Sequence, residues 1–283
     1  MEFIRKNTGS RMQVNQYKEI TYLTFPLLEK TGMVRHLFST RMGGVSEGIY
    51  SSMNLSYSRG DKKEAVDENF RRIAEVFGAS SDKIVCSKQT HTTNVRMVTE
   101  EDLGKGVVRE LDYDDVDGLI TNVPGIILGT FYADCVPLYF IDTKNQAIGL
   151  SHSGWKGTAN RMGEATLKAM KDAYGTLPEH VVAAIGPSIC RDCYEVGEEV
   201  ADAFKDSFSK EWREILENGR KEGKYQLDLQ SANKRILLNA GVLSENIAVT
   251  DLCTCCNKEL LFSHRGSNGK RGNMGAFMEL RKS

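Results

Sequence analysis

Between residues 83 and 153 the chain is a succession of short apolar segments: KIVCS, NVRMV, GLITN, GIILGTFYA, VPLYFID and AIGLSH. Turn residues such as Val123-Pro124-Gly125 and Thr143-Lys144-Asn145 separate them. Apolar runs of this length bounded by Gly, Pro and Asn read as the strands of a sheet. EITYLTF (19–25), VRHLFST (34–40), VVAAIGP (181–187), IAVTD (247–251) and GAFMEL (275–280) read the same way. Helical periodicity appears over Glu64–Phe77, which puts Ala65, Asn69, Ile73 and Phe77 on one face before a capping Gly78, and over Thr158–Tyr174, Val196–Phe208 and Ser231–Ala240. Strands and helices mix without strict βαβ alternation. The expected fold class is therefore α+β, with layered mixed β-sheets and flanking helices in a single domain over 1–283, residues 1–17 forming an N-terminal arm.

Charge and composition exclude several roles. Lys and Arg number 37 against 38 Asp and Glu, a formal charge of -1, so the chain lacks the basic excess that nonspecific nucleic-acid binding requires. No apolar run approaches the ~20 residues that span a bilayer, and MEFIRKNTGSRMQVNQYK contains no apolar core of a secretory signal. A cytoplasmic location is expected, with no membrane or nucleic-acid partner, as a monomer or homodimer. Seven Cys without a secretory segment point to a reduced compartment and to metal or catalytic use of thiols. Only five His are present, so any imidazole-dependent site draws on a short supply.

Five stretches stand out locally. RMGGVSEGIYSSMNLSYSRGD (41–61) is too long for a simple turn, and long ordered loops are often functional. SKQTHTTN places His91 at a strand end, and FYADCVPLYF sets Asp134 and Cys135 beside Pro137, whose missing N–H argues for a bend or an edge strand. GLSHSGWKGTANRMGEA leaves a strand at His152, turns through Gly154 and Gly157, and enters a helix. DLCTCCNKELLFSHRGSNGKRGNMG holds Cys253 and His264. Singly, each has an ordinary structural explanation: a packed histidine, a small buried cysteine, a tight turn. The separations of His91, Cys135 and His152 match no short metal-ligand motif.

Together, in order, the segments FSTRMGGVSEGIYSSMNL, CSKQTH, ADCVPL, HSGWKGTA, IGPSICRDCYEVG and DLCTCCNKELLFSHR resemble the successive blocks of the laccase-domain purine nucleoside phosphorylases, formerly called multicopper polyphenol oxidoreductases. The resemblance runs from about Phe38 to Met274. It implies zinc-dependent phosphorolysis of adenosine, inosine and S-methyl-5′-thioadenosine, plus deamination of adenosine, with purine nucleosides and phosphate as partners. It also implies that His91, Cys135 and His152 are the metal ligands and catalytic centre, with Zn²⁺ as cofactor and Cu²⁺ an alternative at the same site. Two imidazoles and a thiolate suit zinc with a fourth position open, the form in which a bound water is acidified toward neutrality for attack on a nucleobase. Phosphate needs an anion pocket. Arg41 and Lys156, with Gly154 and Gly157 at the helix entry, are the candidates.

Rival readings use the same residues. A multicopper oxidase needs more imidazoles than five His supply, although copper at this one site would oxidise phenols incidentally. A metal-free cysteine hydrolase would take Cys135 as nucleophile with His152 or His91 as base. A non-catalytic nucleoside binder would use the 41–61 loop only as a surface. Ser263-His264-Arg265 stands where many relatives have Ser-Tyr-Arg-Arg, so His264 is expected to fill the tyrosine position. Cys190 and Cys193 form a C-x-x-C, and Cys253, Cys255 and Cys256 a second cluster. About 60 residues separate them, far beyond the ~15–20 of a zinc ribbon, which disfavours that motif.

Overall fold

Period-two alternation in the apolar segments decides which face each strand residue takes. The computed structural model describes residues 2–6 and 9–282. In chain order the strands are β1 (Gln13–Tyr17), β2 (Ile20–Thr24), β3 (Val34–Ser39), β4 (Ile84–Cys86), β5 (Val95–Met97), β6 (Gly118–Thr121), β7 (Ile127–Tyr132) and β8 (Val136–Asp142). They continue with β9 (Ala147–Ser153), β10 (Val181–Ile185), β11 (Glu195–Gly197), β12 (Leu216–Asn218), β13 (Lys224–Leu227), β14 (Ile247–Val249) and β15 (Met274–Leu280). The helices are α1 (Pro26–Glu29), α2 (Lys63–Val76), α3 (Trp155–Ala159), α4 (Met162–Tyr174), α5 (Glu198–Phe208), α6 (Trp212–Ile215) and α7 (Leu229–Asn239).

Two six-stranded mixed sheets result, ordered β1-β2-β3-β15-β7-β4 and β14-β10-β8-β9-β6-β5, with a small β11-β13-β12 sheet beside them. Phe38, Leu128, Tyr132 and Met278 of the first sheet meet Tyr139, Ile141, Ile148 and Leu150 of the second in a shared core. Alternate residues face outward. Leu37, Ile127 and Phe277 are covered by Val66, Phe70 and Ile73 of α2. Leu138, Phe140 and Ala183 are covered by Met170, Phe204 and Ile236 of α4, α5 and α7. The fold is thus α+β, four layers deep. Gly149 lets α4 lie close on β9, since a Cβ there would sit 3.0 Å from Met170 Sδ. Among the described residues no helix is long and apolar enough to cross a membrane.

Several expectations need correction. Pro137 lies in a central strand: β8 pairs with both β9 and β10. Its pairing partner His152 sends its N–H away, to Asp117 O, so the β8–β9 ladder loses nothing there. The proline's other edge meets Gly186, which donates to Pro137 O at 2.8 Å just past the end of β10. The helix expected over Thr158–Tyr174 is two helices, because Arg161 takes a left-handed φ of 61° and turns the chain between α3 and α4. The helix expected from Val196 begins at Glu198, its first residues being drawn into β11 by pairing with β13. The helix expected from Ser231 begins at Leu229, where Asp228 caps it by accepting from Ser231 N. Within the expected N-terminal arm, Gln13–Tyr17 form a hairpin with β2.

The 41–61 loop is held by one buried side chain. Asn69 of α2 donates to Ser46 Oγ, Ser52 O and Asn54 O and accepts from Val45 N. Gly44 presses so closely on Ser52 that a Cβ would lie 2.1 Å from its carbonyl oxygen.

The chain passes between the two large sheets at places that lie close together. The β4–β5 and β7–β8 segments each carry it from the first sheet to the second, and β9 ends beside both crossings.

His36 on β3 shows how strongly this core excludes charge. Its Nε2 accepts the Phe25 N–H at 2.8 Å, and burial lowers its pKa to about 3. The folded state therefore refuses a proton that the unfolded chain binds below about pH 6.5. The stability that neutral His36 contributes is complete above that value and declines as pH falls toward 3. In denaturant titrations from pH 8 to pH 5, His36→Gln should gain on the wild type only below pH 6.5. Parallel profiles for the two proteins would remove His36 from this role.

Candidate metal centre

The three side chains singled out in the sequence converge where the chain changes sheets. His91 lies on the β4–β5 crossing, Cys135 at the start of β8 on the β7–β8 crossing, and His152 near the end of β9. Their ligand atoms all lie within 4.8 Å of one another. Cys135 Sγ is 4.0 Å from His91 Nε2, and the two imidazole centroids are 5.0 Å apart at 79°.

Each of the three is fixed from behind. Asp117, fully buried at the head of β6, accepts from the N–H groups of Thr90, His91 and Thr92 and from Thr92 Oγ1. Its Oδ1 also takes His152 Nδ1 at 2.8 Å, which leaves Nε2 as the free ring nitrogen of His152. A carboxylate behind a histidine in this manner fixes tautomer and ring orientation at metal sites. His91 itself has φ 67°, a left-handed turn that these three N–H bonds stabilise. Gln89 ties the same loop to β7, donating to Phe131 O and accepting from Phe131 N. Asp134, with φ 94°, aims Cys135. Its carboxylate accepts from Thr254 Oγ1 at 2.6 Å and Arg265 N at 2.7 Å, and its carbonyl from Ile189 N at 2.9 Å.

The electrostatics follow from this packing. Burial alone would raise the Cys135 thiol, but His152 and His91 outweigh it and bring it down to about 6. Burial alone would lower His152, but Cys135 and Asp117 hold it up at about 9. Asp117 is likewise pushed up by burial and drawn down, to about 2, chiefly by His152 and then by the backbone N–H groups. Without metal, both shifts run in the direction that favours a Cys135 thiolate beside a His152 imidazolium. Gly154 leaves room beside it: a Cβ there would sit 2.8 Å from His91 Cδ2 and 3.1 Å from Cys135 Sγ. Two nitrogens and a sulfur at this spacing, with a cavity on the remaining side, fit a tetrahedral zinc with one open position.

The cluster forms one wall of a cavity of about 490 Å³, within the range of small-molecule sites. Leu55, Leu111 and Phe131 give it apolar surface, and Arg59 and Arg271 bring positive charge. Arg271 is buried and bonds neutral groups, Gly272 O, Asn273 Oδ1 and His264 Nδ1, while its Nε has no partner among the described residues. Burial, and next the neighbouring Arg59 charge, lower the Arg271 guanidinium to about 10.

Arg41 and Lys156 are elsewhere. The Arg41 guanidinium is taken by Ser51 O and Lys258 O and lies over Phe262. Lys156 is exposed beside Trp155, and the α3 helix it sits on has only five residues. Gly157 is buried behind His152 and does not face the cavity. His264 packs against Arg271, outside the cluster. Sequence reasoning missed Asp117, Arg59 and Arg271. The signal for Asp117 was a carboxylate directly before a strand, lost among Asp112, Asp114 and Asp115.

A braced, open His–Cys–His set facing a cavity is the layout of a catalytic centre rather than a closed structural one. The family model described as multi-copper polyphenol oxidoreductase laccase matches residues 35–281, and the chain belongs to that family. It is 36% identical over 248 residues to purine nucleoside phosphorylase YlmD of Bacillus subtilis, covering 87% of this chain and 88% of the relative. It is 35% identical over 250 residues to adenosine deaminase RL5 of an unknown prokaryotic organism, covering 85% and 92%. Among solved structures, the fold matches Bacillus licheniformis YfiH with a TM-score of 0.89 at 31% identity, over 95% of this chain and 99% of that one. YlmD of Geobacillus stearothermophilus matches with a TM-score of 0.88 at 31% identity, over 97% and 100%.

The Asp117–His152 contact makes a direct prediction. In metal-free protein, Asp117→Asn should move the His152 titration from about 9 toward the ordinary histidine value near 6.5. NMR titration of the imidazole Cε1–H measures it, and an unchanged midpoint would show that Asp117 does not set the charge of His152.

Proposed function

We propose that this chain is a zinc-dependent purine nucleoside phosphorylase, acting on adenosine, inosine and S-methyl-5′-thioadenosine, that also deaminates adenosine. The observation that carries the reading is the pairing, around one cavity, of the open His91–Cys135–His152 set with two arginines that have no carboxylate bonded to them among the described residues. The names of the relatives supply the substrate class. His91, Cys135 and His152 would hold the zinc, which would supply Lewis acidity beside the substrate. Arg59 and Arg271 take the phosphate, in place of the Arg41 and Lys156 expected from the sequence. Leu55, Leu111 and Phe131 give the purine an apolar surface and limit water. In phosphorolysis a phosphate oxygen forms a bond to C1′ as the bond from C1′ to the purine nitrogen breaks, leaving free base and ribose 1-phosphate. The site favours this chemistry by concentrating and orienting the anion beside the sugar.

The multicopper reading lacks donors. Among the described residues the one His-containing cluster has two imidazoles, and His36 is locked in the core as an acceptor. The thiolate character of Cys135 gives the cysteine hydrolase its one specific support. Product analysis on adenosine, with and without phosphate, before and after chelation separates the two. The proposal expects hypoxanthine or adenine with ribose 1-phosphate, lost on chelation and restored by zinc. Activity that survives chelation and ends on thiol alkylation would favour the hydrolase.

Substitutions refine the test. Cys135→Ala should abolish zinc binding at the His91–Cys135–His152 centre and both activities while the chain still folds. Arg271→Ala and Arg59→Ala each remove a charge-assisted contact of ~1.5–3 kcal/mol. The KM for phosphate should therefore rise roughly 10–100-fold, with deamination largely spared and Lys156→Ala close to wild type. Equal loss of both reactions would remove the arginines from the phosphate role.

Zinc uptake should also depend on pH. His152 keeps its proton up to about 9 in the metal-free protein. Zinc must displace that proton, so apparent affinity should rise by about one log unit per pH unit from 7 to 9 and then level. Competition with a chromophoric chelator across that range provides the measurement.

A further inference from the structure

Four cysteines take no part in the His–Cys–His centre, yet the fold brings them to one point. Cys190 and Cys193 follow β10, and Cys253 and Cys256 follow β14. β10 and β14 are parallel neighbours, so their C-terminal ends open at the same edge, and the pairing continues past the strands through Ser188 and Cys253. The roughly 60 residues between the two C-x-x-C pairs are the crossover that any parallel pair requires. The four Sγ atoms lie within 4.8 Å of one another, with Cys193 and Cys256 at 3.6 Å.

We infer that Cys190, Cys193, Cys253 and Cys256 form a second, structural metal site that holds one zinc ion through four thiolates. A tetrahedron with Zn–S bonds of ~2.3 Å has sulfur–sulfur edges of about 3.8 Å, which the observed spacing fits. The several irons of an iron–sulfur cluster would hold the sulfurs farther apart. The Cys193–Cys256 separation is also well beyond a disulfide bond, and all seven cysteines are free. The surroundings suit thiolates. Cys253 Sγ accepts the N–H groups of Cys190 at 3.3 Å and Cys256 at 3.4 Å, and the Lys6 ammonium bonds Asp192 within the first C-x-x-C. Binding releases the thiol protons to solvent.

Position gives the site its purpose. Ile189 and Thr254, each next to a cysteine of the cluster, are two of the groups that hold Asp134 and so aim Cys135. The N-terminal segment is fastened over the same loops through Ile4 to Asn257 and Arg5 to Asp251.

The test is a full-length His91→Ala, Cys135→Ala protein, in which only the four-cysteine site remains, so its metal content reports on that site whatever the fate of the proposed nucleoside chemistry. Metal analysis should find about one zinc per chain. X-ray absorption should give four sulfur neighbours at ~2.3 Å, and cobalt substitution should give strong sulfur-to-metal charge-transfer absorption. Further substitution of Cys193→Ser and Cys256→Ser should remove that zinc. Because the absorption measurement leaves the four cysteines untouched, it does not depend on how those last variants fold. The inference is overturned if the doubly substituted protein, reduced and supplied with zinc, binds none. Iron with inorganic sulfide, nitrogen or oxygen neighbours at the metal, or a Cys193–Cys256 disulfide under reducing conditions would overturn it equally.

Discussion

The candidate centre depends on one buried carboxylate. Asp117 is sealed from solvent and would be untenable as an unpaired charge, yet its acceptors are filled by three backbone N–H groups, a threonine hydroxyl and an imidazole. Those donors belong to two of the three chain segments that build the site. One anion thereby folds the 90–92 turn, fixes His152 and supports the left-handed backbone of His91. A neutral or shorter side chain at that position would release all three together, so the geometry of the centre is cooperative.

On the cavity side, the chemistry is set by a balance of charge. The carboxylates of Asp117 and Asp134 lie behind the cavity wall that Cys135 and the two histidines form, whereas Arg59 and Arg271 face the open space. A cavity with incompletely paired positive charge on one side suits a ligand with an anionic end, as the proposed reading requires. The charge pattern therefore accords with the nucleoside enzymes among the relatives more than with the oxidase in the family's description.

Much of this was legible in the chain. The apolar segments between 83 and 153 marked the strands because period-two burial leaves a direct trace in composition, and the helix around Asn69 was visible through its apolar face. The convergence of His91, Cys135 and His152 was reached through the order of the motifs, since spacing alone carried no information. What stayed hidden was tertiary. Pro137 reads as a break until its neighbours show that its missing N–H lies beyond the end of β10. Arg271 looks like any loop cation until the fold buries it, and Lys156 looks like a phosphate ligand until the fold turns it outward. The two C-x-x-C pairs look unrelated because linear distance counts the crossover between β10 and β14, which the parallel pairing folds away.

Two of the passages of the chain between the large sheets have a mechanical meaning as well. His91 and Cys135 sit on the segments that leave the first sheet, and His152 belongs to the second. An ion held by all three would act as a rivet through the laminate, resisting shear of one layer across the other. Occupancy of the site would then stiffen the junction where the two layers meet.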